Sequence, residues 1–406
     1  MSGITGISAT FNTPNYHGDL FALTPADTPF LSAIGSLSQG AQATSVEFEW
    51  SGYDLRDPDQ RTRVEGATAP GAEGRVRTSF NNIVQIHQEK VSVSYTKQAA
   101  VGQYSGLNIS GGENAVTDEK SWQVEQALKQ ISRDANWSFL NGIYYKPADN
   151  TTARRTRGLL QAVTSNLVDL GTNVHSNASS ATDTITPASA HSLAVNDRVV
   201  FTQVGPASAA QAMAGIVIGR VYYVQSISTT VSFKVAATQG GAAITVGTVA
   251  SGIAFHSLTT TALDLPTFNS FGQLVFDNGG LTDGLGTLIV NSTQKVAIST
   301  MIASAYGKAN PIVSGEKIGN VAIDQVVTDF GTLNIMLDRA MPRDAILLAS
   351  LADIKPVLLS IPGKGVLFEE ALAKTGASDD SQIYGEIGLA YGSQLQHGLI
   401  RGLPTK

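Results

Sequence analysis

The chain has 406 residues, a net charge of −6, only 15% charged residues and no cysteine. This excludes disulfides, thiolate metal sites and cysteine nucleophiles, and it leaves no global basic field to attract nucleic acid. The length has room for about two or three domains, no apolar run approaches the ~18 residues of a membrane span, and the N-terminus lacks a secretory pattern, so the sequence reads as a soluble protein folded in a cytoplasm.

Residues 1–44 read as an extended arm, because Pro14, Pro25 and Pro29 break any helix there. Its apolar residues come in islands: Leu20, Phe21 and Leu23, then Phe30, Leu31 and Ile34. These must be buried either on another surface or on the arm's own domain.

Residues 45–56 alternate, with Val46, Phe48 and Trp50 on one side and Glu47, Glu49 and Ser51 on the other, as a half-buried strand does. A second strand pattern runs over 83–96, with Val91, Val93 and Tyr95 on one face. Between them lies a Gly/Pro-punctuated tip with acids Asp54, Asp57, Asp59, Glu65 and Glu73, arginines Arg56, Arg61, Arg63, Arg75 and Arg77, and no lysine. Arginine forks pair with carboxylates in bidentate fashion and suit specific contacts between chains. A loop this long is either functional or a solvated excursion.

The segment 113–142 reads as one long helix. Val124, Ala127, Leu128, Ile131, Ala135 and Phe139 recur every three or four residues and share one face. Thr117 or Asp118 caps the start, Glu125 and Lys129 form an i,i+4 pair, and Gly142 ends it. From 118 to 141 it would extend roughly 36 Å at about 1.5 Å per residue. After it, Lys146-Pro147 and Arg154-Arg155-Thr156-Arg157-Gly158 form a basic turn that either meets a phosphate or pairs with neighbouring acids.

Composition shifts near Thr164, and up to Leu263 the charged residues are Asp169, Asp183, Asp197, Arg198, Arg220 and Lys234 alone. Short strand signals at 198–201, 221–227, 231–236, 243–246 and 253–258 predict a small all-β domain inserted into the chain. The parent pattern resumes with a helix from 265 that stops at Asn278-Gly279-Gly280. A strand at 287–290, a helix at 294–306 and strands at 321–327, 333–337 and 345–349 follow, which makes an α/β or α+β unit, and 383–399 reads as a returning strand pair.

No enzyme motif is present. The histidines (His17, His87, His175, His191, His256 and His397) are not spaced i,i+4, and there is no HExxH, nucleophile elbow, Walker loop or dinucleotide fingerprint. The sequence gives no catalytic residue, no cofactor site and no metal site, and function must be read from architecture.

The order and spacing of several stretches resemble the major capsid (major head) proteins of tailed double-stranded-DNA bacteriophages, with the HK-ninety-seven-type fold, in the branch typified by phage SU-ten. They are Pro14-Asn15-Tyr16-His17-Gly18-Asp19-Leu20, Thr28-Pro29-Phe30-Leu31-Ser32-Ala33-Ile34-Gly35, Phe48-Glu49-Trp50 and Glu65-Gly66-Ala67. Then come Asn82-Ile83-Val84-Gln85-Ile86, Arg133-Asp134, Ala153-Arg154-Arg155-Thr156-Arg157-Gly158-Leu159, Asp329-Phe330-Gly331-Thr332-Leu333, Leu372-Ala373-Lys374-Thr375-Gly376 and His397-Gly398-Leu399-Ile400.

The resemblance implies an α+β chain with an N-terminal arm (1–44), an extended β-hairpin loop lying across a neighbouring subunit (45–112), a peripheral domain with its spine helix (113–163) and a peripheral helix (264–283). It further implies an axial domain (284–385) and a return to the peripheral domain (386–406); the inserted all-β domain, 164–263, departs from the family pattern and is predicted to project outward. Function follows as self-assembly through hexamers and pentamers into an icosahedral head enclosing double-stranded DNA without sequence-specific binding, built in the bacterial host cytoplasm with portal and scaffolding proteins and a cement protein as partners.

Inter-subunit contacts are assigned to Arg56, Asp57, Arg61, Arg63, Glu65, Arg75 and Arg77. The extended loop has no lysine from Gly52 to Glu89, so the lysine–asparagine crosslink of some members is not expected. The rival readings are an encapsulin-like nanocompartment shell and a β-rich binding or adhesin protein.

Overall fold

The computed structural model describes residues 23–37, 40–99, 118–171, 173–181, 183–206, 208, 213–229, 231–282, 284–305, 324–374 and 376–405. The expectations placed on Pro14 to Phe21, on 113–117, on 321–323 and on Tyr306 lie outside them.

The long helix runs Glu119–Asn141. Of the two candidate caps, Asp118 takes the role, accepting from the N–H groups of Lys120 (3.1 Å) and Ser121 (3.3 Å). Lys129 meets Glu125 at 2.6 Å. Ile131, Ala135 and Phe139 are buried, whereas Leu128, assigned to the same face, is 37% exposed because the deeply packed part of the helix begins only at Ile131. The helix stops at Gly142 for want of space rather than through a left-handed turn. Its φ is −60°, and a Cβ there would lie 2.3 Å from the Ser138 carbonyl oxygen and 2.7 Å from that of Thr156.

Beside the helix lies a five-stranded sheet built on one long strand, Ser378–Ala390. Gln85–Ser94 runs antiparallel along one side of it, and Leu367–Ala371 and Lys355–Leu359 share the other. Ala41–Ala43 adds a parallel edge. The 83–96 pattern therefore does not pair with the first strand. The partner of Glu47–Tyr53 is Arg77–Ile83, which makes a separate two-stranded ribbon. Buried Val84 separates ribbon from sheet, and Tyr95 begins a short helix, Tyr95–Ala99, instead of ending a strand. The Lys355–Leu359 and Leu367–Ala371 strands carry no clean alternation and were not expected.

A six-stranded sheet forms the other half of the body, in the order Gln325–Thr328, Gly331–Leu337, Leu285–Val290, Ile346–Ala349, Gly398–Arg401 and Leu167–Asp169. Helix Ser292–Ala305 lies between the parallel strands Leu285–Val290 and Gly331–Leu337. Asp264 caps helix Leu265–Asp277, whose Phe268, Phe271 and Val275 fill the core over the sheet. The returning strand pair is corrected. Ser378–Ala390 belongs to the five-stranded sheet and Gly398–Arg401 to the six-stranded one. A boundary at 385/386 thus falls inside one continuous strand.

The arm is also corrected. Pro29 does not break a helix but starts one, Pro29–Ala33, at the first helical position where its missing N–H costs nothing. Phe30, Leu31 and Ile34 are buried in the same core as Ile131 and Phe139, so this island packs on its own subunit, while Leu23 stays 99% exposed.

Residues 173–257 include a closed six-stranded barrel. Around it run Ser232–Ala236, Thr184–Thr186, Asn173–Ala181, Val249–Ser257, Arg198–Val204 and Val221–Thr229. Phe201, Tyr222, Phe233 and Phe255 fill it, with ring centroids 5.1–5.9 Å apart. Four of the five expected strands are present. The 243–246 segment makes only a single bridge, Ala243 to Ala236. The chain enters and leaves at one neck: a Cβ on Gly171 would sit 1.8 Å from the Ser257 oxygen, and one on Gly402 (φ +79°) 2.6 Å from the Gly171 nitrogen.

Candidate assembly surface

The ribbon stem is fixed on its own subunit. Trp50 donates from Nε1 to the Gly392 carbonyl (2.7 Å) and meets the Tyr391 ring edge-on at 5.0 Å. Buried Asn82 donates to the Leu389 carbonyl (2.7 Å) and accepts from the Arg157 N–H (2.9 Å). Beyond the stem, residues 54–76 form no helix or strand, and every one is exposed. Tyr53, Leu55, Val64 and Val76 are 76%, 67%, 79% and 81% exposed. A firmly rooted segment that leaves its apolar side chains in water has the character of an unfilled interface.

Of the residues assigned to contacts, Arg56, Arg61 and Arg75 converge on Glu73 at 3.6, 2.7 and 3.4 Å, and Arg56 also donates to the Asp57 carbonyl (2.8 Å). The Arg61 hydrogen bond, with a smaller contribution from Arg75, holds the Glu73 carboxyl below its ordinary value. Glu73 was not among the assigned residues, yet it organises three of them. Its place two residues before Arg75 was the available signal. Arg63, Glu65 and Arg77 have no ion pair among the described residues, nor does the Asp57 carboxylate. The tip contains one i to i+3 turn, Val64-Glu65-Gly66-Ala67, closed by the Ala67 N–H to the Val64 carbonyl (3.1 Å), with Gly66 at φ +80°.

The basic turn divides. Lys146 pairs with Glu47 and Arg154 with Glu386. Arg157 donates to the Tyr391 hydroxyl (3.0 Å) and lies 4.5 Å from the Tyr144 ring centre. Pairing with neighbouring acids is thus the right reading for Lys146 and Arg154, whereas Arg157 meets tyrosines instead. The Arg155 side chain has no partner among the described residues.

Two cavities lie where barrel meets body. One, of about 310 Å³, is lined by Thr202, Gln203 and His256 from the barrel and by Pro342, Asp344 and Arg401 from the body. His256 Nε2 and Asp344 Oδ2 are 2.5 Å apart across it, both buried. Their separation by 88 residues left no local sequence signal. Among the described residues no group of three His, Asp or Glu is placed to hold a metal.

The architecture is that of phage capsid proteins. The capsid asymmetric unit of cyanophage A-1(L) superposes with a TM-score of 0.54 at 10% identity, covering 98% of this chain and 99% of that one. A structure of Mycobacterium phage Adephagia gives 0.51 at 12% identity, covering 100% and 99%. The holo-SrpI encapsulin complex from Synechococcus elongatus PCC 7942 gives 0.45 at 8% identity, covering 97% and 93%. No curated protein matches the chain. Residues 3–404 match the SU10 major capsid protein family, and the chain belongs to that family. It is a structural protein of the virion capsid that assembles with copies of itself, and not an enzyme.

Proposed function

We propose that copies of this chain form hexamers and pentamers through the six-stranded half of the body, and that these close into an icosahedral head around double-stranded DNA. In this reading the ribbon and its tip are the extended loop, which lies across a neighbouring subunit. The long helix and five-stranded sheet form the peripheral domain, and the barrel projects outward. The observation that carries the reading is the tip itself: exposed throughout residues 54–76, rooted by Trp50 and Asn82, and apolar at Leu55, Val64 and Val76 with nothing among the described residues to cover them.

A specific interface buries about 1,600 Å² in all. Repeating modest contacts over a closed symmetric shell makes a stable whole. The net charge of −6 suits a wall that contains DNA without gripping it. Portal, scaffolding and cement proteins are the partners such a shell takes, with assembly in the bacterial host cytoplasm.

Electron microscopy of the purified protein, with light scattering for mass, tests this. Closed particles or six- and five-membered rings are expected, with an outer knob that disappears when 173–257 is excised. A protein that stays monomeric across concentration and salt, even with its scaffolding protein added, rules the reading out.

A further inference from the structure

The second cavity, of about 270 Å³, opens between the long helix, the foot of the Gln85–Ser94 strand and the barrel rim. Its walls include Ile86, Trp137, Arg154, Arg155, Val204 and Pro206. Two features mark it as unfilled. Ile86 and Trp137, both lining this concave site, are 43% and 40% exposed. The arginines have unmet donors: Arg154 Nε is buried without a hydrogen-bond partner although Glu386 holds the other end of the group, and Arg155 pairs with no acid among the described residues. Burial holds the Arg155 guanidinium below its ordinary value, against a smaller opposing effect of Tyr145. A half-buried arginine without a carboxylate is unfavourable, and an arriving anion removes that cost.

The complement is on the same chain, in the tip. The Val64–Ala67 turn presents, side by side, a valine that is 79% exposed and a glutamate without an ion pair among the described residues. The turn is already closed, so little conformational freedom is lost on docking. Carboxylate meets guanidinium, and valine meets the indole and isoleucine.

We propose that the Val64-Glu65 turn of a neighbouring copy seats in this cleft, with Glu65 on Arg155 and Val64 against Trp137 and Ile86. The inserted barrel, which supplies Val204 and Pro206, is then one wall of an inter-subunit socket as well as an appendage. This rests on the reading that the tip reaches a neighbouring subunit.

Because the chain has no cysteine, the test is clean. Glu65→Cys combined with Arg155→Cys is assembled into particles and treated with a short bismaleimide, because two side chains that meet as a Glu–Arg pair hold their Cα atoms beyond the ~7 Å reach of a direct disulfide. The expected result is a ladder of covalent oligomers on a denaturing gel, absent from either single variant. In parallel, Arg155→Glu and Glu65→Arg are each expected to lower particle yield on the order of tenfold or more, as loss of one partner of a desolvated pair does. Their combination is expected to restore it, with unfolding of the free subunit unchanged. Intact particles with no ladder, or charge reversals without effect on yield, overturn the socket while leaving shell assembly standing. Absence of particles from the unaltered protein instead removes the underlying reading.

Discussion

His256, on the last barrel strand, and Asp344, in the body, touch at 2.5 Å with side chains only 3% and 1% exposed. The same Asp344 accepts from the Gly402 N–H (3.4 Å), and its carbonyl accepts from the Leu403 N–H (3.0 Å). Barrel, neck and six-stranded sheet therefore share one buried polar centre. This fixes the barrel's direction rather than leaving it on a tether. His256→Ala is expected to cost on the order of 3 kcal/mol, since it strands a buried carboxylate. The check is hydrogen exchange and limited proteolysis. Faster cleavage near Gly171 and Ser257 with the barrel core still protected is the expected pattern, and unchanged neck protection contradicts it.

The arm is locked by a second polar centre. Asn136 accepts from the Leu31 N–H (2.9 Å) and donates to Asp338 (3.0 Å), which also accepts from the Phe30 N–H (3.3 Å). Asn136→Ala leaves these groups unpaired and is expected to destabilise the subunit by about 1–3 kcal/mol. Phe30→Ala, which empties a fully buried site, is expected to cost about 3–5 kcal/mol. Urea denaturation of the unassembled subunit measures both. Phe30→Ala without effect would mean that the arm does not pack where it is seen.

Acid is expected to weaken the body through His87, whose imidazole is buried on the Gln85–Ser94 strand and pushed down to about 4 by desolvation. Its folded value lies below the unfolded one of 6.5, so the unfolded chain binds the proton first. Stability is whole above about 6.5 and is lost as pH falls towards 4, by about 2 kcal/mol between pH 7.5 and 5. Buried His397, lowered by the same cause, acts in the same direction. His87→Leu is expected to flatten the pH dependence over this window. An unchanged slope assigns it elsewhere.

Much of this was legible in the sequence where local rules dominate. The long helix announced its cap at Thr117 or Asp118, its Glu125–Lys129 pair and its buried stripe. The barrel strands rich in Val, Tyr and Phe could be read one by one. What failed was pairing and context. The Asn173–Ala181 strand is Ser/Asn/Ala-rich, so it reads as a turn until the closing barrel supplies partners on both sides. The choice of Arg77–Ile83 over 83–96 as the ribbon partner depends on Val84, a single buried residue at which the chain changes sheets. Of the assembly surface, the charged tip was visible as a run. Glu73 as its centre and Arg155 with Trp137 as a cleft required the fold, because they are brought together from separate segments.

Within the tip, Glu73 orders the arginines without stabilising the body. Glu73→Gln is expected to leave thermal unfolding of the free subunit unchanged while speeding protease cleavage inside residues 54–76 and reducing particle yield. The Glu73 carboxyl titrates below its ordinary value of 4.5, so this ordering is present at neutral pH and is lost as pH falls through the lowered value. A fall in thermal stability equal to that of a core substitution contradicts this division of roles.

The central claim is that residues 54–76 join one copy to the next. A cryo-electron-microscopy reconstruction of assembled particles, at a resolution that traces this loop, tests it most directly. The account predicts the loop lying on a neighbouring subunit, its exposed Leu55, Val64 and Val76 covered there and Glu73 still holding Arg61. A loop folded back on its own subunit, or extending into solvent with no neighbour beneath it, contradicts it.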